Sequence, residues 1–232
     1  MALDEALLLG DSAPVTLRLY TWAPDTLSLG YFQRLVDVPP AAHFLAGERG
    51  PSLPGALVRR LTGGGAIHHQ HELTFSLTAP LTHALYQGRT EHSYQRVHAA
   101  IASALLEVGV VAKERGDRQL ASERARTGMC FHKSAAVDLC WDDRKGVGSA
   151  QRRTGGRVLH HGSIKLGTTP LEGDIATAGA ELTPEVFAPT LLAAFARAFG
   201  VTYEPTTPSA DEVTRAEARE VFFTSPAFVG RR

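Results

Sequence analysis

The chain has 232 residues, 44% of them hydrophobic, and its 24 basic side chains balance 24 acidic ones to a formal net charge of zero. This length and apolar content suit one domain with a sizeable core, and the balanced charge excludes a global attraction to nucleic acid or membranes. Two cysteines are too few for a disulfide framework, and no CxxC or HxxxH spacing indicates a metal site.

The N-terminal segment predicts a short helix over 2–9. It has no basic n-region and no small-residue cleavage site, and acidic residues interrupt its apolar run, so it does not resemble a signal peptide. No apolar stretch approaches the roughly 20 residues that are needed to cross a bilayer. We therefore expect a soluble cytoplasmic protein with reduced thiols and no membrane partner.

Strands are predicted on both sides of a glycine-rich stretch. VTLRLYTW at 15–22 and LSLGYFQ at 27–33 are rich in β-formers, and the Pro-Asp turn between them predicts a hairpin. A connector rich in proline and glycine, 38–55, leads to RRLTGGGAIHH at 59–69. ELTFSLTAP at 72–80 then predicts another strand.

The middle of the chain predicts one helix and a sheet of consecutive strands. Apolar residues at helical spacing predict an amphipathic helix over 91–108, and the polar segment 113–129 is expected to be a loop. Three strand-like segments follow, and the short glycine-bearing turns between them predict an antiparallel meander. These segments are 136–142, 145–153 and 157–166.

Two helices are predicted near the C-terminus. Thr183 and Pro184 are start signals of the first helix and Gly200 is its stop signal, while Pro189 is expected to kink or break it. A second helix is predicted over 209–222. Strand pairs mixed with flanking helices predict an α+β fold with a largely antiparallel sheet.

RRLTGGGAIHH is the first of three segments that carry chemistry. The glycines of 63–65 can adopt positive φ, let a ligand approach the main chain closely, and present N–H groups to an anion. Arg59 and Arg60 can pair with a carboxylate or phosphate. Taken alone, the segment fits equally well a flexible turn with two solvated arginines, and it contains neither a P-loop nor a dinucleotide fingerprint.

The second and third segments are KGVGSAQRR at 145–153 and LHHGSI at 159–164. Small residues after Lys145 leave room for a ligand whose carbonyl or phosphate oxygen the lysine can hold, although an exposed hairpin lysine is the alternative. Strand alternation sends His160 and His161 to opposite faces, so only one of them is expected at a shared site.

Cys130 lies at a predicted loop–strand junction in TGMCFHK. His132 and Lys133 stand beside it, and their positive charge favours the thiolate. A structural role is the commoner fate of a cysteine, and Cys140, inside a predicted strand, is expected to be a small packed hydrophobe.

Taken together, these stretches resemble the biotin/lipoate protein ligase superfamily. Its members carry an RRxTGGGAxxH segment, a lysine before a GSAQ-like segment, and LxHGSI, in that order. The openings ALDEALL and SLGYFQ are also similar, so the resemblance covers residues 1 to about 200. Gly146 stands where the family more often has an apolar residue.

The resemblance implies an α+β fold with mixed, largely antiparallel sheets flanked by helices. The whole chain, 1–232, would be a single catalytic domain, with a helical segment at 201–232. Such a domain attaches an acyl group to one lysine of a small carrier domain.

By the same resemblance, matched positions would form an acyl or acyl-adenylate pocket with two walls, and Lys145 would contact the acyl carbonyl or a phosphate. No metal ligands are implied. One wall would contain Arg60, Gly63, Gly64, Gly65 and His68, and the facing wall Gly148, Ser149, Ala150, His161, Gly162 and Ser163.

Two activities share this scaffold. Lipoate–protein ligases activate lipoate with ATP and Mg²⁺, whereas octanoyltransferases take an octanoyl group from acyl carrier protein through a cysteine thioester. One branch of the transferases has a Cys-Phe pair shortly before the lysine, and Cys130-Phe131 resembles that pair. We therefore expect a transferase with Cys130 as nucleophile and Lys145 as its catalytic partner, without a cofactor. The ligase, with ATP and Mg²⁺, is the alternative.

The expected acceptor is a lipoyl carrier domain, from a 2-oxoacid dehydrogenase E2 or the glycine cleavage H protein. The expected octanoyl donor is acyl carrier protein, and no nucleic acid takes part. A relative that binds the carrier domain without catalysis is a third hypothesis from another functional class.

Overall fold

The computed structural model describes residues 1–10, 15–50, 53–179 and 181–231, which form helices packed around two sheets. The helices are α1 (Ala2–Leu9), α2 (Pro39–Leu45), α3 (Thr90–Glu107), α4 (Pro184–Phe199), α5 (Ala210–Thr224) and α6 (Pro226–Val229). The strands are β1 (Thr16–Tyr20), β2 (Thr26–Leu29), β3 (Ala56–Arg59), β4 (Ile67–His69), β5 (Glu72–Pro80), β6 (Lys113–Glu114), β7 (Leu139–Trp141), β8 (Arg144–Thr154) and β9 (Arg157–Lys165).

The larger sheet has the strand order β1-β5-β9-β8-β7-β6, with antiparallel neighbours throughout. The predicted meander β7-β8-β9 is therefore confirmed. Helices α3 and α4 cover one face of the sheet, where Ile101 and Phe195 pack against Phe75 and Val147. Each of these fully buried side chains contributes about 1.5–3 kcal/mol to stability.

The smaller sheet has the order β3-β2-β4, with β2 parallel to β3 and antiparallel to β4. The predicted hairpin between the first two strands is wrong, because β1 pairs with β5 in the larger sheet instead. All four residues of β2 are buried, whereas those of β1 are half-buried, as expected for an edge strand. A strand that is buried throughout needs a partner on each side, and local sequence does not specify those partners. The α+β expectation itself is confirmed, with sheets both mixed and antiparallel.

The predicted helices are confirmed, and of the kink or break predicted at Pro189 the break does not occur. Thr183 accepts a hydrogen bond from the Val186 amide at the start of α4, and Gly200 ends the helix at φ 63°. The helix continues through Pro189, because a proline near the first turns removes only one main-chain hydrogen bond. Sequence reasoning missed helix α2 in the connector, where prolines occupy its first positions. None of the described helices combines the length and apolar character needed to span a membrane.

The C-terminal helices pack back onto the first elements of the chain. Arg219 of α5 forms an ion pair with Glu5 of α1 at 2.6 Å. The buried guanidinium of Arg59 donates to the carbonyls of Phe228 and Val229, both at 3.0 Å. Arg59 therefore joins β3 to α6 and is not one of the solvated arginines considered from the sequence. The single-domain boundaries remain a prediction.

Candidate active site

A cleft with an empty volume of about 410 Å³ is lined by residues of both sheets. Most of the residues predicted for the site line it, and five others that were not predicted line it as well. The predicted lining residues are Arg60, Gly63, Gly64, Cys130, Gly148, Ser149, Ala150, His161, Gly162 and Ser163. The additional residues are Met1, Trp22, Ile67, His69 and Thr74. Gly65, His68 and Lys145 lie behind this surface.

Arg60 holds the glycine loop in shape. Its guanidinium is buried and donates to the carbonyls of Gly63 at 2.8 Å and Gly65 at 2.6 Å, and to the Ser28 carbonyl at 3.0 Å. Gly64 lies in the left-handed region at φ 94°, which favours glycine. Burial lowers the pKa of Arg60 to about 10, so it remains a cation at neutral pH. Much of its hydrogen-bonding capacity is thus used by the loop itself.

Gly65 brings the cysteine segment against the glycine loop. A Cβ at this position would lie 2.7 Å from the Cys130 nitrogen. The close approach allows the Ala66 amide to donate to the Gly128 carbonyl at 2.8 Å and the Cys130 amide to donate to the Ala66 carbonyl at 2.7 Å. The third glycine of the triplet therefore makes room for the protein's own nucleophile candidate.

Cys130, Lys145 and Asp138 form a compact group at the edge of the cleft. The Nζ of Lys145 lies 3.5 Å from the Cys130 Sγ and 2.7 Å from the Asp138 Oδ2. Lys145 and Asp138 are buried, while Cys130 is partly exposed. Burial works against the charge of Lys145, but its interactions with the Cys130 sulfur and the Asp138 carboxylate outweigh this effect, so the pKa of Lys145 is raised. Lys145 is therefore an ammonium at neutral pH.

Gly148 has no side chain and so leaves room for the side chains of Lys145 and Cys130. A Cβ there would lie 2.9 Å from Cε and 3.1 Å from Nζ of Lys145, and 3.5 Å from the Cys130 sulfur. On the neighbouring strand, a Cβ at Gly162 would lie 2.6 Å from the Phe75 ring. Gly146, where the family has an apolar residue more often, is also explained, because a Cβ at that position would collide with the indole of Trp141.

The two histidines of β9 face opposite sides of the sheet, as strand alternation predicted. His161 lines the cleft, where its Nε2 lies 2.6 Å from the Thr62 hydroxyl. Burial, reinforced by Arg60, lowers the pKa of His161 to about 3, so its imidazole is uncharged. His160 packs on the helix side with the Ser149 hydroxyl 3.0 Å from its Nε2. The Ser149 hydroxyl is thus turned away from the cleft.

The histidine of β4 at the cleft is His69, and the prediction of His68 there needs correction. His69 stacks on Trp22 with ring centroids 4.1 Å apart, and its Nδ1 lies 2.6 Å from Glu72. His68 turns to the other face and pairs with Asp25 at 2.9 Å. Alternation along β4 places Ile67 and His69 on the same side. The spacing of the RRxTGGGAxxH segment already pointed to His69.

A second buried lysine supports the cleft from behind. The Nζ of Lys165 donates to the His68 carbonyl at 2.6 Å and to Glu72 at 2.8 Å, and it lies 2.7 Å from Glu172. All three charged side chains are buried. This cluster joins β4, β5, β9 and the loop that follows β9. Sequence reasoning missed it, because its members are far apart in the chain.

Within the described part of the chain, no group of three or more His, Cys, Asp or Glu side chains is arranged to hold a metal ion. Cys140 is buried in β7, as predicted.

The sequence model of the lipoyl protein ligase A/B catalytic domain family matches residues 1–173. The chain belongs to this family. It is 41% identical to octanoyltransferase LipM of Moorella thermoacetica over 201 residues, which are 84% of this chain and 69% of that protein. It is 36% identical to octanoyltransferase LipM of Staphylococcus aureus over 176 residues, 71% of this chain and 60% of the relative.

The fold is also that of a lipoyl protein ligase domain. It superposes with a TM-score of 0.71, at 17% identity, on the bipartite lipoate protein ligase from Thermoplasma acidophilum that was studied with its E2 lipoyl domain. The match covers 99% of this chain and 89% of the other. Within this family scaffold, the chain places a thiol beside an ammonium at the edge of an apolar cleft, an arrangement suited to covalent acyl transfer.

Proposed function

We propose that this protein is a cysteine-dependent octanoyltransferase that moves an octanoyl group from acyl carrier protein to the acceptor lysine of a lipoyl carrier domain. The observation that carries the proposal is the Cys130 Sγ at the cleft, 3.5 Å from the Nζ of Lys145. The similarity to proteins named octanoyltransferase LipM supports the same assignment.

In the first step, the Cys130 thiolate attacks the thioester carbonyl of the donor. A carbon–sulfur bond to Cys130 forms, the bond to the donor sulfur breaks, and the donor leaves as a thiol. The ammonium of Lys145 lies where it can stabilise the oxygen that becomes negative during this exchange. The acyl chain then lies in the cleft beside Gly148, Ala150 and Ile67.

In the second step, the uncharged amine of the acceptor lysine attacks the Cys130 thioester. An amide forms and the thiolate is released, which restores the enzyme. Because an amide is more stable than a thioester, the sequence of steps runs forward without ATP. The glycine loop, shaped by Arg60, and the uncharged His161 would form the surface around the reacting carbon.

The lipoyl carrier domain would come from a 2-oxoacid dehydrogenase E2 or from the glycine cleavage H protein. A protein of the same fold was studied with its E2 lipoyl domain, which supports an acceptor of this type. Cys130 and Cys140 are both free thiols. The reaction needs the first of them reduced, so a cytoplasmic setting belongs to the same proposal.

Acyl carrier protein is proposed as donor because the cleft has a cationic edge. Tyr31 has the guanidinium of Arg152 5.3 Å from its ring centre and that of Arg231 at 4.1 Å. The next residue, Phe32, has its ring 3.8 Å from the position of a Cβ on the cleft residue Gly63. Neither arginine forms an ion pair with a carboxylate in the described ranges. Such an edge suits the phosphate on the prosthetic arm of an acyl carrier.

The test is acyl loading without ATP. We expect wild type, incubated with octanoyl-acyl carrier protein alone, to gain the mass of one octanoyl group on Cys130 and to pass it to an added lipoyl domain. Cys130→Ser should lose both, and Cys140→Ser serves as the matched control that keeps both. Octanoyl transfer by Cys130→Ser at the wild-type rate would refute the proposal.

The ATP-dependent lipoate ligase is the alternative outcome of the same experiment. It would appear as ATP–pyrophosphate exchange that requires added lipoate and persists in Cys130→Ser.

A further inference from the structure

We propose that Asp138 is a positioning residue that acts through Lys145, completing a carboxylate–ammonium–thiolate triad with Cys130. The inference rests on the proposed acyl transfer for its chemistry, but its geometry stands independently. Asp138 lies outside the three sequence motifs that indicate the family.

The carboxylate of Asp138 is fixed by its own main chain. Its Oδ2 lies 2.7 Å from the Lys145 Nζ and accepts a hydrogen bond from the Ala135 amide, also at 2.7 Å. The turn is closed by the Asp138 amide, which donates to the Ala135 carbonyl at 3.0 Å. Only 5% of Asp138 is exposed, so water does little to screen its charge. A charge held this rigidly can position its partner.

Lys145 is surrounded by acceptors. Besides Asp138, its Nζ donates to the carbonyls of Cys130 at 3.2 Å and Lys133 at 3.1 Å, and its longest contact is the Cys130 sulfur at 3.5 Å. An ammonium has three N–H donors and no lone pair, whereas an uncharged amine would turn its lone pair towards one of these acceptors. The surroundings therefore fit the cation, and Asp138 is the carboxylate in contact with it.

Other titratable groups that face the pair do not replace this charge. Burial lowers the pKa of His98 on α3 and raises the pKa of Tyr94, so both are uncharged at neutral pH. Lys165 and Lys145 both lie near the ring of Phe131, and the charge of Lys165 is matched by Glu72 and Glu172. Besides Asp138, the titratable side chain in contact with Lys145 is that of Cys130.

The triad gives Lys145 two roles in each turnover. During loading, the bond from the acyl carbon to the donor sulfur breaks, and the departing thiolate takes a proton from Lys145. During transfer, the attacking amine forms the amide bond, Cys130 leaves as a thiolate, and the amine's proton returns to Lys145. Asp138 favours this return, because it stabilises the ammonium over the amine.

The test is a direct titration of Lys145. The chain has only four lysines, so a sample with isotope-labelled lysine gives few NMR signals. The signal that disappears in Lys145→Arg is assigned to Lys145. We expect Lys145 in wild type to titrate above the usual lysine pKa of about 10.4. In Asp138→Asn the raising carboxylate is lost and burial remains, so the pKa should fall by about 1 to 3 units.

The alkaline limit of octanoyl loading should move to lower pH by the same amount, and Asp138→Glu should restore it. Asp174→Asn is the matched control, because Asp174 pairs with Arg144, the strand neighbour of Lys145, outside the triad. It should leave the Lys145 titration unchanged.

An unchanged Lys145 titration in folded Asp138→Asn would overturn the proposal. If that variant does not fold, a Lys145 pKa in wild type at or below the usual lysine pKa would overturn the proposal. The NMR experiment needs no substrate. A failure of octanoyl transfer would therefore leave the triad standing, and a failed titration would leave the proposed function standing.

Discussion

Lys145 and Lys165 are two buried ammonium groups that lie near the same aromatic ring. Their Nζ atoms lie 5.5 Å and 5.0 Å from the centre of Phe131. Lys165 is paired with Glu72 and Glu172 and is completely buried. Lys145 is paired with one carboxylate and one thiol, and that thiol lines the cleft.

The difference shows what turns a buried charge into a reactive one. Around Lys165, two carboxylates and a carbonyl satisfy the ammonium and leave nothing for a substrate to reach. Around Lys145, the longest of four contacts goes to the sulfur at the cleft, so the ammonium can turn towards a negative charge that develops there. We therefore expect the Lys145 group to govern rate and the Lys165 group to govern stability.

Replacement of Lys145 should have the largest effect on octanoyl transfer. In Lys145→Met, the sulfur loses its ammonium and the acceptor amine loses its base, so we expect the rate to fall about 10²- to 10⁴-fold. The measurement is single-turnover loading and transfer, followed by mass spectrometry at a temperature where the variant is folded. Lys133→Met is the control, because its side chain is outside the group. Near-normal transfer by Lys145→Met would contradict the expectation that Lys145, unlike Lys165, governs the rate.

How far the sequence predicts this site depends on whether its parts are contiguous. Lys145, the glycine loop and Cys130 stand in short motifs, so each is predictable from the sequence. The sequence assigns Asp138 only to a strand, because nothing in AVDLCWD shows that a turn points its carboxylate at a lysine seven residues on. The Lys165 cluster spans β4, β5, β9 and a loop, and only tertiary packing assembles it.

The strand pairing of the first hairpin failed for a related physical reason. Alternation and β-rich composition identify a strand and the face it buries, but the partner is chosen by packing over the whole chain. The prediction of His68 failed for a different reason, because the spacing of RRxTGGGAxxH, counted from Arg59, places the motif's histidine at position 69. Alternation did predict correctly that His160 and His161, which are neighbours in β9, lie on opposite faces of the sheet.

A smaller effect on rate is expected from crowding the Lys145 group. In Gly148→Ala the new methyl would lie 2.9 Å from the Lys145 Cε, so the ammonium must move relative to the sulfur. We expect loading to slow by about 10- to 100-fold, the cost of a small misplacement of reacting groups. The assay is single-turnover loading from octanoyl-acyl carrier protein. Gly50→Ala is the control, since among the described residues, its chain neighbours aside, no atom lies within 4 Å of the place that its new methyl would take. A normal rate for Gly148→Ala would mean that the spacing of Lys145 and Cys130 is not limiting.

Replacement of Lys165 should have the smallest effect on rate and a large one on stability. Lys165→Met leaves Glu72 and Glu172 buried without their cation, and breaking a buried ion pair costs about 3–5 kcal/mol of unfolding free energy. Urea unfolding measures this loss, and the folded fraction should still transfer octanoyl within about 2-fold of wild type, because Lys165 is not itself one of the residues that line the cleft. Adding Glu172→Gln should recover part of the stability, since one of the two unpaired charges is then gone. A Lys165→Met variant that stays stable but loses transfer would instead place Lys165 in the chemistry, through Phe131.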